Sequence, residues 1–177
     1  MTSLSPSLDF KVTEPGHAQA VMALLDLCFG PGRFAKTAQR LREGNQPVAA
    51  LSLVAFERDL LRASVQFWPI LIGQTPALLL GPLAVDPEQR GRGIGLDLMA
   101  HGLDKARALG HNVVLLVGDA PYYAKVGFAP LPLGTITMPG PVDSSRLLIC
   151  ELTKGAMAGV GGIVSAGPIV PGTPWGR

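Results

Sequence analysis

Apolar and polar residues recur with a helical period in the first part of the chain. Residues 17–29 place apolar side chains three or four positions apart, which predicts a helix that ends at Gly30. Residues 34–43 repeat this pattern over a shorter stretch and predict a second helix that ends at Gly44. A brief alternation over residues 10–12 predicts an edge strand ahead of both helices.

Three apolar segments rich in β-formers follow at residues 48–57, 61–72 and 77–85. The connections between them are short, and short connections between consecutive strands favour antiparallel pairing. Pro82 lies inside the third segment and has no N–H to donate to a neighbouring strand. We therefore expect the sheet to be bulged or open at Pro82, with backbone groups left free for a ligand.

The strongest helical pattern covers residues 93–109, and a continuous apolar run at residues 113–117 follows it. Such a run is typical of a buried strand in a parallel pair, so strand, helix and strand form a βαβ unit with a right-handed crossover. Residues 120–126 predict a short helix with Asp119 as its N-cap, and residues 146–152 predict a last strand.

Residues 155–177 are rich in glycine and proline, carry almost no charge and show neither a helical nor a strand period. We interpret them as a mobile tail, or as an arm that lies on a neighbouring subunit, and assign residues 1–154 to a single folded domain. The apolar character of this tail is also the reason to expect a homodimer.

The composition agrees with one compact domain. Of the 177 residues, 47% are hydrophobic and 16% are charged, which excludes a disordered chain. A net charge of +2 gives no reason to expect nucleic acid or a membrane surface as a partner. The first residues lack the pattern of a signal peptide, and the apolar run at residues 77–85 is too short to span a bilayer. We expect a cytoplasmic protein.

Cysteines and histidines offer little chemistry here. Cys28 and Cys150 each lie in an apolar stretch with no second cysteine nearby, so we expect two buried thiols rather than a disulfide or a nucleophile. The histidines are His17, His101 and His111, at helix ends or on a polar helix face, where we expect exposed structural roles. They do not cluster, so no metal site is predicted.

The candidate chemistry lies between the third apolar strand and the strongest helix. Gly91, Gly93 and Gly95 leave the backbone bare, so a ligand can approach its amides without meeting a side chain. The N–H groups at a helix N-terminus are unpaired and attract anions, and Arg90 and Arg92 add positive charge beside them. The loop therefore predicts a phosphate site. The alternative is a tight turn whose glycines only fit the bend.

Two common phosphate loops do not fit this sequence. A Walker A loop continues with lysine and then serine or threonine, whereas Ile94 and Leu96 flank Gly95 here. A dinucleotide fingerprint needs glycine or alanine where Leu96 or Leu98 stands, depending on the register, and it usually opens its fold. A nucleotide-binding α/β protein that binds its nucleotide with this same loop remains an alternative.

Three stretches follow the pattern of one family. Residues 90–95 read Arg-Gly-Arg-Gly-Ile-Gly, residues 83–87 read Leu-Ala-Val-Asp-Pro, and residues 122–128 read Tyr-Tyr-Ala-Lys-Val-Gly-Phe. In order and separation they resemble the GNAT superfamily of acyl-CoA-dependent N-acyltransferases, over residues 78–128. The resemblance implies an α/β (α+β) fold whose mixed, mostly antiparallel sheet is splayed between its fourth and fifth strands and flanked by about four helices.

The resemblance also implies a reaction, in which an acetyl group passes from acetyl-CoA directly to a primary amine, without a metal. Tyr123 takes the family's tyrosine position and is the implied general acid for the leaving thiolate, with Tyr122 packing beside it. The backbone of the fourth strand pairs with the pantetheine arm and supplies an oxyanion donor from Leu83 or Val85. The implied cofactor-binding residues are Leu83, Ala84, Val85, Arg90, Gly91, Arg92, Gly93, Ile94 and Gly95.

The sequence departs from the family pattern at two places. Members often carry an asparagine before the tyrosines, whereas residues 117–121 read Val-Gly-Asp-Ala-Pro, as in a bacterial branch of the family. Members also often carry a glutamate base on the fourth strand, and residues 77–85 contain no carboxylate. Glu57 and Asp119 are therefore the candidates for a base, beside a water chain or an amine that is already neutral.

The acceptor is expected to be a small-molecule or peptide amine. The basic residues of the second helix region suggest an acceptor with a carboxylate, although a solvated helix face explains them equally well. They are Arg33, Lys36, Arg40 and Arg42. The alternative to an enzyme is a non-catalytic acyl-CoA-binding regulatory module, against which the presence of Tyr123 argues.

Overall fold

Four consecutive strands form the first half of the sheet in chain order. The structure, a computed structural model, describes residues 7–167. The strands are β1 (Leu8–Val12), β2 (Leu53–Glu57), β3 (Leu60–Ile72) and β4 (Thr75–Val85), and each pairs antiparallel with the next. This order confirms the antiparallel neighbours and the N-terminal edge strand predicted from the sequence.

The second half of the sheet begins with β5 (Val113–Val117), which runs parallel to β4. The remaining strands are β6 (Ala129–Pro130), β7 (Ile136–Thr137), β8 (Leu147–Glu151) and β9 (Gly162–Ala166). Strand β8 pairs antiparallel with both β5 and β6. The mixed, mostly antiparallel sheet that we expected is therefore confirmed.

Within residues 7–167 the structure has four α-helices, which are α1 (Ala18–Phe29), α2 (Thr37–Arg40), α3 (Ile94–Ala108) and α4 (Ala120–Tyr123). Helices α1 and α3 pack on opposite faces of β4, because Ala84 contacts the α1 cluster while Leu83 and Val85 pack toward α3. None of these helices combines the length and apolar character needed to cross a bilayer.

The second predicted helix, over residues 34–43, is shorter than expected. A 3₁₀ turn covers Pro31–Ala35, and α2 is a single turn that begins after Lys36. The backbone of Lys36 is extended, with φ −71° and ψ 144°, so it interrupts the helical path between the two turns.

The sheet opens between β4 and β5, as expected. The two strands pair only at Leu78 with Val114 and at Leu79 with Leu115. On its other side, β4 changes register against β3 between Leu80 and Leu83, where Gly81 and Pro82 lie opposite a single residue. The bulge predicted at Pro82 is thus confirmed, and the Gly81–Pro82 peptide bond is cis.

The C-terminal segment contains a strand that its sequence does not reveal. Strand β9 pairs antiparallel with β3 and parallel with β7, and Val164 is buried between them. The expectation of a mobile tail or of an arm on a neighbouring subunit is therefore wrong for residues 162–166, which pair with strands of this same chain. The sequence shows no alternation of apolar and polar residues here, because only Val164 of this strand is buried. Residues 168–177 lie outside the described residues, and the domain division at residue 154 stays a prediction.

Candidate active site

The main cleft lies where β4 and β5 separate and encloses about 1020 Å³. One wall comes from α1 and from the segment between Arg33 and Arg42. The floor is the stretch of β4 from Leu79 to Leu83, and the opposite wall holds the end of β5 with Asp119 and both tyrosines of α4. The opened sheet therefore creates a cavity large enough for a small ligand and part of a second one.

The backbone of β4 beyond the bulge presents free groups toward this opening. The Asp86 N–H donates to the Arg62 carbonyl of β3 at 2.8 Å. Bonded and non-bonded positions alternate along an antiparallel pair, so Ala84, which lies opposite Ser64, also bonds to β3. Leu83 and Val85 must then direct their N–H and C=O groups away from β3. Of the residues predicted to bind the pantetheine arm, Leu83 and Val85 have backbone groups available. The backbone N–H and C=O groups of Ala84 are used in hydrogen bonds to β3.

Cys28 on α1 uses one of these groups. Its thiol donates to the Val85 carbonyl at 3.2 Å, which agrees with a carbonyl that points away from β3. Leu83 and Val85 lie opposite Val65 and Ala63 at non-bonded positions, so the Val85 N–H and both backbone groups of Leu83 make no inter-strand hydrogen bond within residues 7–167. Cys28 and Cys150 are both free thiols, as the sequence predicts, and Cys28 is only half-buried.

The glycine loop before α3 has the geometry of an anion site. Gly91 and Gly93 have φ values of 85° and 78°, a left-handed conformation that favours glycine, and no atom lies within 4 Å of where a side chain would begin. The first bond of the helix joins the Asp97 N–H to the Gly93 carbonyl at 3.0 Å. Within residues 7–167, the N–H groups of residues 91–96 donate to no protein acceptor, so they can bind an anion.

Gly95 differs from the other two glycines, and its role is packing. A methyl group at this position would lie 2.8 Å from Tyr122 Oη and 2.9 Å from Val85 Cγ2. Gly95 therefore lets the first turn of α3 approach β4 and α4 closely, and a side chain is excluded by protein atoms rather than by a ligand. Ile94 has its side chain in the core, so only its N–H faces the loop.

The two arginines of the loop are not equivalent. Arg90 is exposed and forms no ion pair within residues 7–167, so its charge is available to a ligand. Arg92 donates to Glu57 Oε1 at 2.8 Å. The sequence alone offers both arginines as free charges, because the partner of Arg92 is on a distant strand. The loop itself lies outside the cleft lining and adjoins it through Tyr122.

Glu57 is the buried member of an ion-pair cluster whose other residues are partly exposed. Arg62 bridges it to Asp86, with N–O distances of 3.1 Å to Glu57 and 2.8 Å to Asp86. The hydrogen bond from Arg92 holds the pKa of Glu57 below its usual value, with Arg62 adding to the effect. Glu57 does not line the cleft, so this candidate base is a structural carboxylate that fixes the loop to β2 and β3.

Tyr122 and Tyr123 both line the cleft and pack edge to face, with ring centroids 5.0 Å apart. Tyr123 also packs against Phe128, and its ring contacts Gly118 so closely that a side chain there would collide with it. Burial raises the pKa of both hydroxyls above the ordinary value, which keeps them protonated at neutral pH. The hydroxyl of Tyr122 lies beside the first turn of α3.

Asp119 occupies the N-cap position of α4, but its side chain makes no capping hydrogen bond. A capping carboxylate accepts from the second or third residue of the helix. The second residue is Pro121, which has no N–H, and the third, Tyr122, donates to the Asp119 backbone carbonyl instead. Asp119 is therefore confirmed as the N-cap residue, but its side chain makes no capping bond, and the carboxylate is left on the cleft wall.

His111 contradicts the expectation that all three histidines are exposed. It is only 5% exposed, its Nε2 has no hydrogen-bond partner in the described part of the chain, and burial lowers its pKa. It lies in a separate, smaller cavity away from the cleft. Across residues 7–167 no three histidine, cysteine or carboxylate side chains form a group that could hold a metal ion.

Comparison with known proteins gives consistent findings. The family model described as an acetyltransferase (GNAT) domain matches residues 9–131. The uncharacterized N-acetyltransferase YhbS of Escherichia coli strain K12 is 30% identical over 157 residues, which are 87% of this chain and 93% of that protein. The uncharacterized N-acetyltransferase YjhQ of the same strain is 30% identical over 125 residues, 68% of this chain and 69% of that protein.

Two solved structures are similar along most of this chain. The crystal structure of YhbS from Escherichia coli in complex with CoA has a TM-score of 0.80 at 27% identity and covers 94% of this chain and 93% of its own. A GNAT family acetyltransferase from Brucella melitensis in complex with acetyl-CoA has a TM-score of 0.60 at 26% identity, covering 78% of this chain and 94% of its own.

Proposed function

The chain belongs to the GNAT family of acetyltransferases, and from that premise we propose that it transfers an acetyl group from acetyl-CoA to a primary amine. The similar structures from Escherichia coli and Brucella melitensis hold CoA and acetyl-CoA, respectively. The acceptor of this chain is a small-molecule or peptide amine. The homodimer and the cytoplasmic location, like the absence of nucleic acid and membrane partners, stay predictions from the sequence.

The observation that carries the proposal is a pair of neighbouring stretches with unpaired backbone groups. The first comprises the N–H groups of residues 91–96, and the second comprises the Val85 N–H and the backbone of Leu83 beside the bulge. A diphosphate fits the first part, since helix N-terminal amides and the exposed Arg90 both favour an anion. An amide-rich extended arm fits the second part, because a half-open strand can bond to it as a neighbouring strand would.

The chain's own residues then orient and stabilise the reacting groups. The bound thioester supplies an activated acyl carbon and a thiolate leaving group. The Val85 or Leu83 N–H donates to the carbonyl oxygen as negative charge develops on it, which lowers the barrier. Tyr123 donates its proton to the departing sulfur, and its raised pKa keeps that proton in place at neutral pH. Tyr122 lies beside α3 and packs rather than reacts.

Asp119 is the better of the two candidate bases. It lines the cleft, and its carboxylate is not used to cap α4. Glu57 is outside the cleft and paired with two arginines. An Asp119 carboxylate on the wall beside Tyr123 can accept a proton from an ammonium group of the acceptor, directly or through water. A neutral amine would need no such base.

An acetyl-CoA thiol-release screen tests the proposed reaction. The acceptors are amino acids, polyamines, aminoglycosides and peptide N-termini, and we expect amine-dependent release of CoA in one class. Calorimetric titration with CoA, ATP and NAD accompanies the screen. CoA binding without turnover of any amine would favour the non-catalytic acyl-CoA-binding module, and binding of ATP or NAD instead would favour a nucleotide-binding protein.

A further inference from the structure

Arg42 is a half-buried cation on the cleft wall formed by α1 and the segment between Arg33 and Arg42. Its Nε is buried without a hydrogen-bond partner in the part of the chain that the structure describes. Burial lowers the pKa of Arg42 to about 10, which still leaves the group charged at neutral pH. No carboxylate of residues 7–167 forms an ion pair with it.

The other basic residues of this segment are already engaged or lie elsewhere. Arg33 is paired with Asp26 at 2.5 Å. Lys36 lies over the Phe29 ring, 5.2 Å from its centroid. Arg40 is exposed and does not line the cleft. Within the described residues, Arg42 is thus the member of this group that lines the cavity, is partly withdrawn from solvent and has no ion-pair partner.

A buried charge without a partner is costly, and proteins normally pair it. Residues 1–6 and 168–177 contain no aspartate or glutamate, so the segments beyond the described residues carry no acidic side chain that could pair with Arg42. The unpaired charge is therefore best understood as half of an ion pair that a bound anion completes.

The position of the guanidinium indicates which ligand brings that anion. A methyl group at Gly81 would lie 3.0 Å from Arg42 Nη2, so the guanidinium sits against the bulge of β4. The Gly81 carbonyl accepts from Trp68 Nε1 at 2.8 Å, which fixes this part of the strand. Leu83 is two positions further along β4, so the Arg42 site adjoins the backbone that would hold the thioester. The glycine loop that suits a diphosphate lies beyond Val85.

We propose that Arg42 binds a carboxylate of the amine acceptor, so that the acceptors are amino acids or other amines that carry a carboxylate. This proposal rests on the proposed acetyl transfer. A guanidinium donates two parallel hydrogen bonds to a carboxylate, and its single positive charge balances a monoanion. Arg146 and Lys36 also line the cavity, but both are exposed, while Asp119 on the opposite wall repels an anion and favours the amine end of the acceptor.

The test compares acceptors that differ only in this group. Free amino acids are assayed beside the corresponding amino-acid amides, and phosphoethanolamine serves as the phosphate-bearing amine. We expect the free acids to be the better substrates, and Arg42→Gln to raise their KM about tenfold to a hundredfold. The KM of the amides and of acetyl-CoA should not change. Arg42→Lys should recover part of the loss, and Arg40→Gln is the matched control without effect.

Thermal unfolding separates a binding role from a structural one. Because Arg42 is unpaired, Arg42→Gln should keep or raise the Tm of the ligand-free protein, whereas loss of a structural ion pair would lower it. Equal use of acids and amides by the wild type would overturn the proposal while acetyl transfer stands. So would a preference for phosphoethanolamine, or an Arg42→Gln effect that falls on acetyl-CoA alone.

If no amine is acetylated, a direct binding measurement tests whether Arg42 binds a carboxylate. In that case the proposed function fails, and the CoA-saturated protein is titrated calorimetrically with N-acetyl amino acids and with the corresponding amides. Binding of the acids that Arg42→Gln abolishes would support the carboxylate site. Absence of any binding that depends on Arg42 would overturn it.

Discussion

The two halves of β4 have nearly the same apolar composition but different surroundings. Around Leu78 and Leu79 the strand pairs with β3 on one side and with β5 on the other, and both side chains are fully buried. Beyond Gly81 it keeps β3, while β5 has diverged and no strand of the described chain replaces it. The first half stabilises the fold, and the second half offers backbone groups to a ligand.

The comparison shows how one strand can serve both purposes. The bulge at Gly81 and Pro82 shifts the register against β3, and Trp68 fixes the bulge by donating to the Gly81 carbonyl. Gly95 then allows α3 to pack against the side chain of Val85, so the open half is supported without being covered. The difference between the halves lies in their neighbours, and it can be tested by changing one neighbour at a time.

The largest effect is expected at Tyr123, which lines the cleft. Tyr123→Phe removes the proton donor, so kcat should fall by about 10²- to 10⁴-fold while the Kd for CoA stays the same. Steady-state kinetics and calorimetry measure the two quantities. Tyr122→Phe is the matched control and should keep most of the turnover. Full activity of Tyr123→Phe would remove the general-acid role.

A second variant addresses the closed half. Leu78→Ala leaves a cavity in a fully paired stretch, so it should lower the free energy of unfolding by about 2–5 kcal/mol. Chemical denaturation measures this loss. The KM for acetyl-CoA should not change at a temperature where the variant is folded, because Leu78 neither lines the cleft nor contributes a free backbone group. A specific loss of acetyl-CoA affinity would show that the halves are not functionally separate.

A third variant closes the space between α3 and the open half. Gly95→Ala brings a methyl group against Tyr122 Oη and Val85, and such overpacking should cost about 1–3 kcal/mol of stability and weaken CoA binding. The double variant Gly95→Ala with Tyr122→Phe removes the hydroxyl from the clash and should recover part of the stability. If the double variant recovers nothing, the close approach of Tyr122 is not what requires glycine here.

The smallest effect is expected from the two loop arginines. Arg90→Gln removes an exposed charge that is free to reach a diphosphate, so the Kd for CoA should rise about twofold to fivefold, and less at high salt. Arg92→Gln instead breaks the pair with Glu57 and should act mainly on stability. Titrations of both variants with CoA at two ionic strengths measure this difference. A larger loss of CoA affinity in Arg92→Gln than in Arg90→Gln would show that Arg92, rather than Arg90, contacts the diphosphate.

The sequence predicts what depends on local patterns. The antiparallel strands β2 to β4, the helix after Gly93 and the bulge at Pro82 follow from short turns, periodicity and the missing proline N–H. The pairing of Arg92 with Glu57 and the burial of His111 depend on residues that are distant in sequence, so no local pattern reveals them.

The acceptor side of the cleft was the least predictable part. Four basic residues near α2 are indistinguishable in the sequence. The fold distinguishes them, because Arg33 forms an ion pair with Asp26 while Arg42 lies against the bulge without such a partner in the described residues. Asp119 shows the same limit. Its position suits a helix cap, but Pro121 has no N–H and the Tyr122 N–H donates to the Asp119 backbone carbonyl, so the carboxylate is not used.

A crystal structure of the protein with coenzyme A tests the central claim most directly. We predict that the pyrophosphate accepts hydrogen bonds from the N–H groups between Gly91 and Gly95, and that the pantetheine arm bonds to the backbone of Leu83 and Val85. Coenzyme A bound elsewhere, or a loop whose N–H groups are already bonded to the protein's own carbonyls, would contradict the account.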